Sequence, residues 1–576
     1  MEPRISSVGA RWVAENQVAF SLRLRQGEIL MTLETRDPAR RPILTRLSDA
    51  PDLLVIAVWA ALVFCVALLR VNFIGDGVRH LIPIVSHTPP SLGEPRWLLF
   101  PLFLFAVVKP VQMAGLVHSV KDAARVFLAV DYFAGITYLL LLRQWLLYRS
   151  VSSRSRAGAL LLAGMTTLLL GFSSDIVEVM VPATIALAGL VYLASRPPES
   201  ATKGLYLAAA AIAIATLLYQ GIVLAVALVP CAIPRDAHVR MRPFILFCAI
   251  LAIAPLVMFT TIVAIGTSPH TAIHLMLTGE KNVLFRNILA SHRPPLLKRP
   301  IAAISVGTES SIIHLPDNLG ISQGLRLLLH SATFIEGAFN ITGRLFALVM
   351  VFAGIVVVYR RRDWRIAVGF AGLMILPTVR GYAYLKYYAL MPIVVALVAS
   401  LSPPAVVLGA GVVVATFNLT YLARDFAHDR QLAGDIAPFY ASAGTSCWLT
   451  TGWGPPLIGW PGSMCSMNQV LAAAHTDQVN AMIAENNRRM TESLRQCFCG
   501  SSAVYTDDMT LSSKEAVTYL AGQYRYVGAD LTELLWSPAK GSIAFDRDGI
   551  VIYTYTRPAQ SELCNSLKHR PTDTSH

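Results

Sequence analysis

The 576-residue sequence is 55% hydrophobic and only 14% charged, with a mean hydropathy of +0.54, which is too little polar material to cover one water-soluble globule of that length. Its net charge of +13 sits in short Lys and Arg clusters between apolar runs. Those clusters report membrane topology and set aside a nucleic-acid partner, which would need one basic soluble face.

Residues 1–50 are mostly polar and read as a cytosolic N-terminal segment, in which Val18–Leu24 and Ile29–Leu33 flank a Gly-Glu turn as a hairpin. The apolar run that follows has the length of a span rather than of a signal sequence, so an uncleaved first span is expected. Further apolar runs lie near 125–147, 157–172, 178–195, 204–218, 221–234, 243–265, 343–359, 365–379, 385–401 and 404–422. Together they predict an α-helical polytopic membrane protein of about eleven transmembrane helices over residues 51–422. With the N-terminus cytosolic, four clusters fall inside: Arg149, Arg154 and Arg156; Arg196 and Lys203; Arg235, Arg240 and Arg242; and Arg360, Arg361, Arg362 and Arg365.

The stretch Trp97–Leu116 contains Lys109 and Pro110, and as a full span it would invert that pattern. It is therefore expected to be a re-entrant or interfacial helix inside an outer loop, 74–124. A second outer loop is expected at 266–342. Residues 423–576 read as a soluble α/β domain outside the cytoplasm, with helical spacing over Asn468–Arg495 and Lys514–Tyr524. In the same region a hairpin is formed by Ser542–Phe545 and Ile550–Tyr555, and Trp448, Trp453 and Trp460 lie in loop-rich sequence. Of the eight cysteines, Cys447, Cys465, Cys497, Cys499 and Cys564 crowd this domain. Their spacing favours disulfides in an oxidising compartment over a zinc site, with at least one thiol left over.

Three features could carry chemistry. Asp76, in Phe73-Ile74-Gly75-Asp76-Gly77, stands where the first span emerges on the outer side, although Gly-Asp-Gly is also ordinary turn chemistry. Asp175 and Glu178, in Ser173-Ser174-Asp175-Ile176-Val177-Glu178, share a face if a helix begins at Asp175. They read equally well as an N-cap and its capping box. Acidic groups at one membrane depth are costly to desolvate and often functional. Such a set could act as a general base with an electrostatic partner, or Asp76, Asp175 and Glu178 could hold a divalent metal; no other cofactor is indicated.

The third feature is the segment Arg380–Tyr388 on the outer side. Arg380 and Lys386 could bind a lipid phosphate and Tyr384 could offer a sugar-binding surface, or the segment could be an aromatic belt with snorkelling cations. His80, Glu94 and Arg96 are further polar candidates in the first outer loop, where His87-Thr88-Pro89-Pro90 imposes an extended turn. Asp131 and Lys109, inside apolar sequence, could face polar partners within the bundle.

In the layout of Asp76, the Pro-rich turn and apolar helix of His87–Leu116, Ala124-Arg125-Val126-Phe127, Asp175 with Glu178, and Tyr384–Pro392, the chain resembles the C-type (GT-C) glycosyltransferases. These polyprenyl-phosphate-sugar-dependent membrane enzymes include protein O-mannosyltransferases, aminoarabinose transferases and oligosaccharyltransferase catalytic subunits. The resemblance covers roughly residues 52–422 and departs from the paired acidic motif of the O-mannosyltransferases, since Asp76 stands beside Gly77. It implies a glycosyltransferase of a bacterial inner membrane that moves a sugar from a polyprenyl-phosphate donor to a glycan, lipid or protein hydroxyl, with inversion. It further implies Asp76 as base, Asp175 and Glu178 beside the reacting centre, and Arg380 and Lys386 on the lipid phosphate. A lipid or solute transporter and a membrane-anchored assembly protein are the competing classes; no repeat relates the two halves, and eleven spans are many for an anchor.

Overall fold

The computed structural model describes residues 50–70, 98–175, 177–234, 241–264, 269–278, 334–380, 385–444, 446–450, 463–466, 479–507, 541–547 and 550–569, with isolated positions at 81, 84–85 and 312–313. The predicted hairpin of residues 18–33, the helix over 514–524, Trp453 and Trp460 lie outside the described residues.

In chain order the helices are α1 (Pro51–Leu69), α2 (Phe100–Met113), α3 (Val120–Tyr148), α4 (Ser153–Gly164), α5 (Thr167–Ser173), α6 (Met180–Ala194) and α7 (Ala201–Leu218). A 3-10 stretch, Gln220–Leu228, leads into α8 (Val229–Ala232), α9 (Met241–Ala264) and α10 (Pro269–Thr278), the last inside the region expected as the second outer loop. Then come α11 (Phe334–Arg361), α12 (Trp364–Arg380), a 3-10 turn at Leu385–Tyr388, α13 (Met391–Ser400) and α14 (Pro404–Ala443).

Among the described residues six helices are long and apolar enough to cross a membrane: Pro51–Leu69, Val120–Tyr148, Pro198–Leu218, Met241–Ala264, Gly337–Arg361 and Pro404–Ala427. The count becomes seven if the bent pair α4 and α5 forms one span. Their outer faces stay bare: Val349 is 63% and Phe352 70% exposed, and α9 shows Phe244, Ile245 and Leu256 to its surroundings. Apolar surface on that scale has no place in water, so the chain is an integral membrane protein. The predicted runs near 178–195, 221–234, 365–379 and 385–401 form shorter helices. The 14-residue α2 is also short, about 21 Å long against a hydrocarbon core of about 30 Å. The Leu99 amide at its start donates to the Leu217 carbonyl at 3.0 Å.

The run predicted over 157–172 is not one helix. It bends by 65° between α4 and α5, and a break within apolar surroundings frees carbonyls that lipid cannot satisfy. The Trp59 indole N–H donates to the Gly164 carbonyl at 2.7 Å, and the Asn418 amide donates to the Met165 carbonyl. Thr166 restarts the chain, its hydroxyl accepting from the Leu169 amide and donating to the Ala163 carbonyl. Gly135 lets α3 cross close to α5: a Cβ there would lie 2.2 Å from Ser173 Oγ and 2.9 Å from the Trp59 ring.

The boundary expected near residue 423 falls inside a helix. At 40 residues, α14 extends for about 60 Å, roughly twice the hydrocarbon thickness. Its far end places Ile436, Phe439 and Tyr440 against Trp448, Tyr505, Phe545 and Ile552 of a sheet. Burial in this cluster pushes the Tyr440 phenol above its ordinary range, so it stays neutral. The junction is therefore a packed core rather than a loose tether.

The sheet is built from β1 (Cys447–Thr450), β2 (Ser463–Ser466), β3 (Val504–Asp507), β4 (Gly541–Arg547) and β5 (Ile550–Tyr555), in the order β2-β1-β3-β5-β4. β1 runs parallel to β2 and β3, while β5 runs antiparallel to β3 and β4. The predicted hairpin is β4–β5, with a register shift between Ile543 and Phe545. Trp448, expected in a loop, is fully buried on β1 because it fills the junction with α14. Two helices accompany the sheet, α15 (Val479–Gly500), which covers part of the stretch expected at 468–495, and α16 (Arg557–Lys568). Disulfides join Cys447 to Cys497 and Cys499 to Cys564, with Cα separations of 5.4 and 5.2 Å, tying β1 to α15 and α15 to α16. Cys465, the remaining member of the predicted set, lies on β2.

Candidate functional site

The site grows from the turn between α5 and α6. α5 ends at Ser173, the Ser174 hydroxyl donates to the Gly171 carbonyl at 3.1 Å, and α6 begins only at Met180 with no side-chain cap. The expectation of a helix starting at Asp175, with the two carboxylates on one face, is therefore corrected, and so is the capping-box reading of Glu178. With no helix to dictate their spacing, each carboxylate follows its own partner.

Asp175 Oδ2 lies 2.8 Å from the guanidinium of Arg70, the residue that follows α1. Arg70 is almost fully buried and stands over the ring of Phe426 on α14, 5.4 Å from its centroid. Glu178 is fully buried, and its Oε2 accepts from Lys386 Nζ at 3.0 Å. Lys386 comes from the 3-10 turn that precedes α13. Burying a carboxylate without a cation or donors is prohibitive, so these pairings hold the turn against elements distant in sequence. The adjoining Tyr387 and Tyr388 are buried rather than displayed to lipid, which removes the aromatic-belt reading for those two residues.

From behind, α3 contributes Asp131. Its side chain is fully buried, and Oδ2 accepts from the Val177 amide at 3.1 Å. Asp131 is also within electrostatic range of Glu178 and Asp175. Lys109, the other polar residue in apolar sequence, donates to Gln112 Oε1 on its own helix at 2.9 Å.

Sequence reasoning singled out Asp175, Glu178 and Lys386, and the structure brings all three to one end of the bundle. Arg380 closes α12, just ahead of that turn. Asp76, His80, Glu94, Arg96 and Tyr384 lie outside the described residues. Among the described residues no three His, Cys, Asp or Glu side chains converge as metal ligands. Arg70 was missed, although a signal existed: on the topology expected from the sequence, a cation at the end of the first span departs from the positive-inside pattern, as Arg380 and Lys386 do.

The far end of the bundle has a different composition. Asp52, fully buried at the start of α1, takes Arg143 Nε at 2.8 Å and Arg156 Nε at 2.9 Å, while Arg149 pairs with Asp363 at 2.7 Å. The 19 residues of α1 separate Asp52 from Arg70 by about 27 Å. Arg70 and Asp175 therefore lie at the end of the bundle opposite Asp52, Arg143 and Arg156.

No protein-family model and no curated protein matches the sequence. Among solved structures, the chain is similar to ArnT from Cupriavidus metallidurans bound to undecaprenyl phosphate, at 12% identity and a TM-score of 0.35, over 88% of this chain and 98% of that one. The apo state of the same protein gives 14% identity and a TM-score of 0.34 over the same shares. Superposition at that level carries no weight on function, which has to be argued from the chain's own groups.

Proposed function

We propose that this protein is a glycosyltransferase that moves a sugar from a polyprenyl-phosphate donor to a hydroxyl acceptor at the outer face of the membrane. The observation that carries the reading is the convergence at one bundle end of two cations, Arg70 and Lys386, on two carboxylates of one turn, Asp175 and Glu178. A lipid phosphate with several acceptor oxygens is a natural competitor for cations held this way. The sequence resemblance to C-type glycosyltransferases agrees with that chemistry.

On this reading the phosphate draws Lys386, and Arg380 nearby, into charge-assisted hydrogen bonds, with Arg70 a further cation at that end. Asp76 follows Arg70 by six residues, a chain length that reaches no farther than about 22 Å. Its carboxylate takes the proton of the acceptor hydroxyl as the acceptor oxygen bonds to the anomeric carbon. The bond from that carbon to the phosphate oxygen breaks, its electron pair leaves with the polyprenyl phosphate, and the configuration inverts. Cations stabilise the negative charge that develops on the leaving phosphate. Tyr384, His80, Glu94 and Arg96 are assigned to sugar and acceptor recognition from the sequence alone, and a divalent cation on the acidic groups is an optional addition.

The topology that goes with this reading has about eleven spans, the N-terminus in the cytoplasm, and the disulfide-closed domain in the periplasm of a bacterial inner membrane. Disulfides belong in that oxidising compartment. The test is incubation of the purified protein in nanodiscs with a panel of undecaprenyl-phosphate sugars and acceptors, following release of undecaprenyl phosphate. Wild type should release it with one donor while Asp76→Asn does not. Loss of labelled-solute transport in Asp76→Asn, with no donor turned over by wild type, would overturn the reading in favour of a transporter.

A further inference from the structure

The turn that carries Asp175 and Glu178 lies between the end of α5 at Ser173 and the start of α6 at Met180, and both ion pairs depend on its shape. Its middle amide, Val177 N–H, is held by Asp131 Oδ2 at 3.1 Å, and Asp131 Oδ1 is buried with no hydrogen-bond partner among the described residues. A fully buried carboxyl that makes one backbone bond is a poor choice for stability, because an apolar residue would avoid its desolvation. Satisfying one buried amide explains the acceptor, and its place explains the use: Val177 lies between Asp175, which faces Arg70, and Glu178, which faces Lys386.

We propose that Asp131 is a positioning residue which, by gripping the Val177 amide, sets the spacing of the two carboxylates and hence of the cations offered to the lipid phosphate. This rests on the glycosyltransferase reading only for the identity of the ligand. The grip itself is geometric, and it requires an acceptor at position 131 rather than a charge.

Two readouts decide it in the full-length protein in nanodiscs: hydrogen exchange of the peptide spanning residues 174–179, and binding of undecaprenyl phosphate. Asp131→Leu should speed exchange in that peptide at least about tenfold and weaken lipid binding by a similar factor, since a single backbone acceptor is lost. Asp131→Asn, whose carbonyl can still accept, should restore both to within about threefold of wild type. Should Asp131→Leu fail to fold, Val177→Pro removes the donor instead. It should reproduce the fast exchange of neighbouring amides, and adding Asp131→Asn should worsen nothing, as expected when two groups share one bond. The proposal is overturned if Asp131→Asn behaves like Asp131→Leu, or if exchange rises without any change in lipid binding. If wild type does not bind undecaprenyl phosphate at all, the glycosyltransferase reading fails, and exchange alone decides the grip.

Discussion

The two ends of the helix bundle build the same ion-pair chemistry on different frameworks. At the basic end, Asp52 is clamped by Arg143 and Arg156, and Arg149 by Asp363. Asp52 and Arg156 lie in the first turns of α1 and α4, Arg143 lies inside α3, and Arg149 and Asp363 lie just beyond helix ends, and cations outnumber acids in the sequence around them. At the other end both acids come from one non-helical turn, and each recruits a cation from a separate element, Arg70 after α1 and Lys386 before α13. A clamp between helix ends fixes how spans pack. A turn whose acids reach cations on separate elements can exchange those cations, as the proposed phosphate-binding centre requires.

The largest contrast should come from Asp76→Asn. On the proposed role of Asp76 as general base, sugar transfer should fall by about 10²–10⁴-fold, while undecaprenyl phosphate binding stays within about twofold. Initial rates and lipid binding measured on the same preparation check both halves, and a variant with normal turnover would remove Asp76 from the chemistry. Lys386→Met comes next. It strips the buried Glu178 of its ammonium partner, so a fall in stability of up to about 3–5 kcal/mol is expected from breaking a buried ion pair at one side. Lipid-phosphate affinity should drop by about tenfold or more for a lost charge-assisted contact. Adding Glu178→Gln should recover stability, seen as a regained melting temperature, without recovering affinity. Recovery of both would mean that Lys386 serves only the fold.

What the sequence disclosed follows from the range of the interactions involved. The long apolar runs, the β4–β5 hairpin and the crowding of Cys447, Cys497, Cys499 and Cys564 are local patterns, and each has its counterpart in the structure. The bend between α4 and α5 is not local, because it depends on Trp59 and Asn418 reaching across 105 and 253 residues to the freed carbonyls. The continuation of α14 past residue 423 is hidden for a related reason. Arg424 and Asp425 end the apolar run, but a helix that docks into the sheet core needs no apolar sequence at that point. Glu178 and Lys386 stood out as charges in apolar surroundings. Their pairing, across 208 residues, and the role of Arg70 could be seen only in three dimensions.

A smaller effect tests the packing behind the turn. In Gly135→Ala the new methyl would lie 2.2 Å from Ser173 Oγ, one residue before the turn begins, and 2.9 Å from the Trp59 ring that supports the break. Overpacking of this kind costs about 1–3 kcal/mol, and it should show as a lowered melting temperature in detergent. Because the displaced residue leads into Asp175, transfer should fall several-fold, as expected for misplacements of about 1 Å. A normal melting temperature would show that α3 and α5 separate more freely than their contact suggests.

The least effect on transfer belongs to the opposite end, in Asp52→Asn. The change leaves Arg143 and Arg156 facing one another around a neutral amide where both had shared Asp52 Oδ2. Like charges brought together at low dielectric repel, and breaking a buried network of this type costs about 3–5 kcal/mol. Stability should therefore fall as far as in Lys386→Met, and more steeply at low ionic strength because the arginines keep some contact with solvent. Yet kcat for transfer, measured below the unfolding transition at saturating donor, should stay within about twofold of wild type, since Arg70 and its partner Asp175 lie about 27 Å away along α1. Equal losses of stability with unequal losses of turnover would separate an end of the bundle that holds the fold from one that also binds the donor. Equal losses of both would mean that the two ends move as one unit.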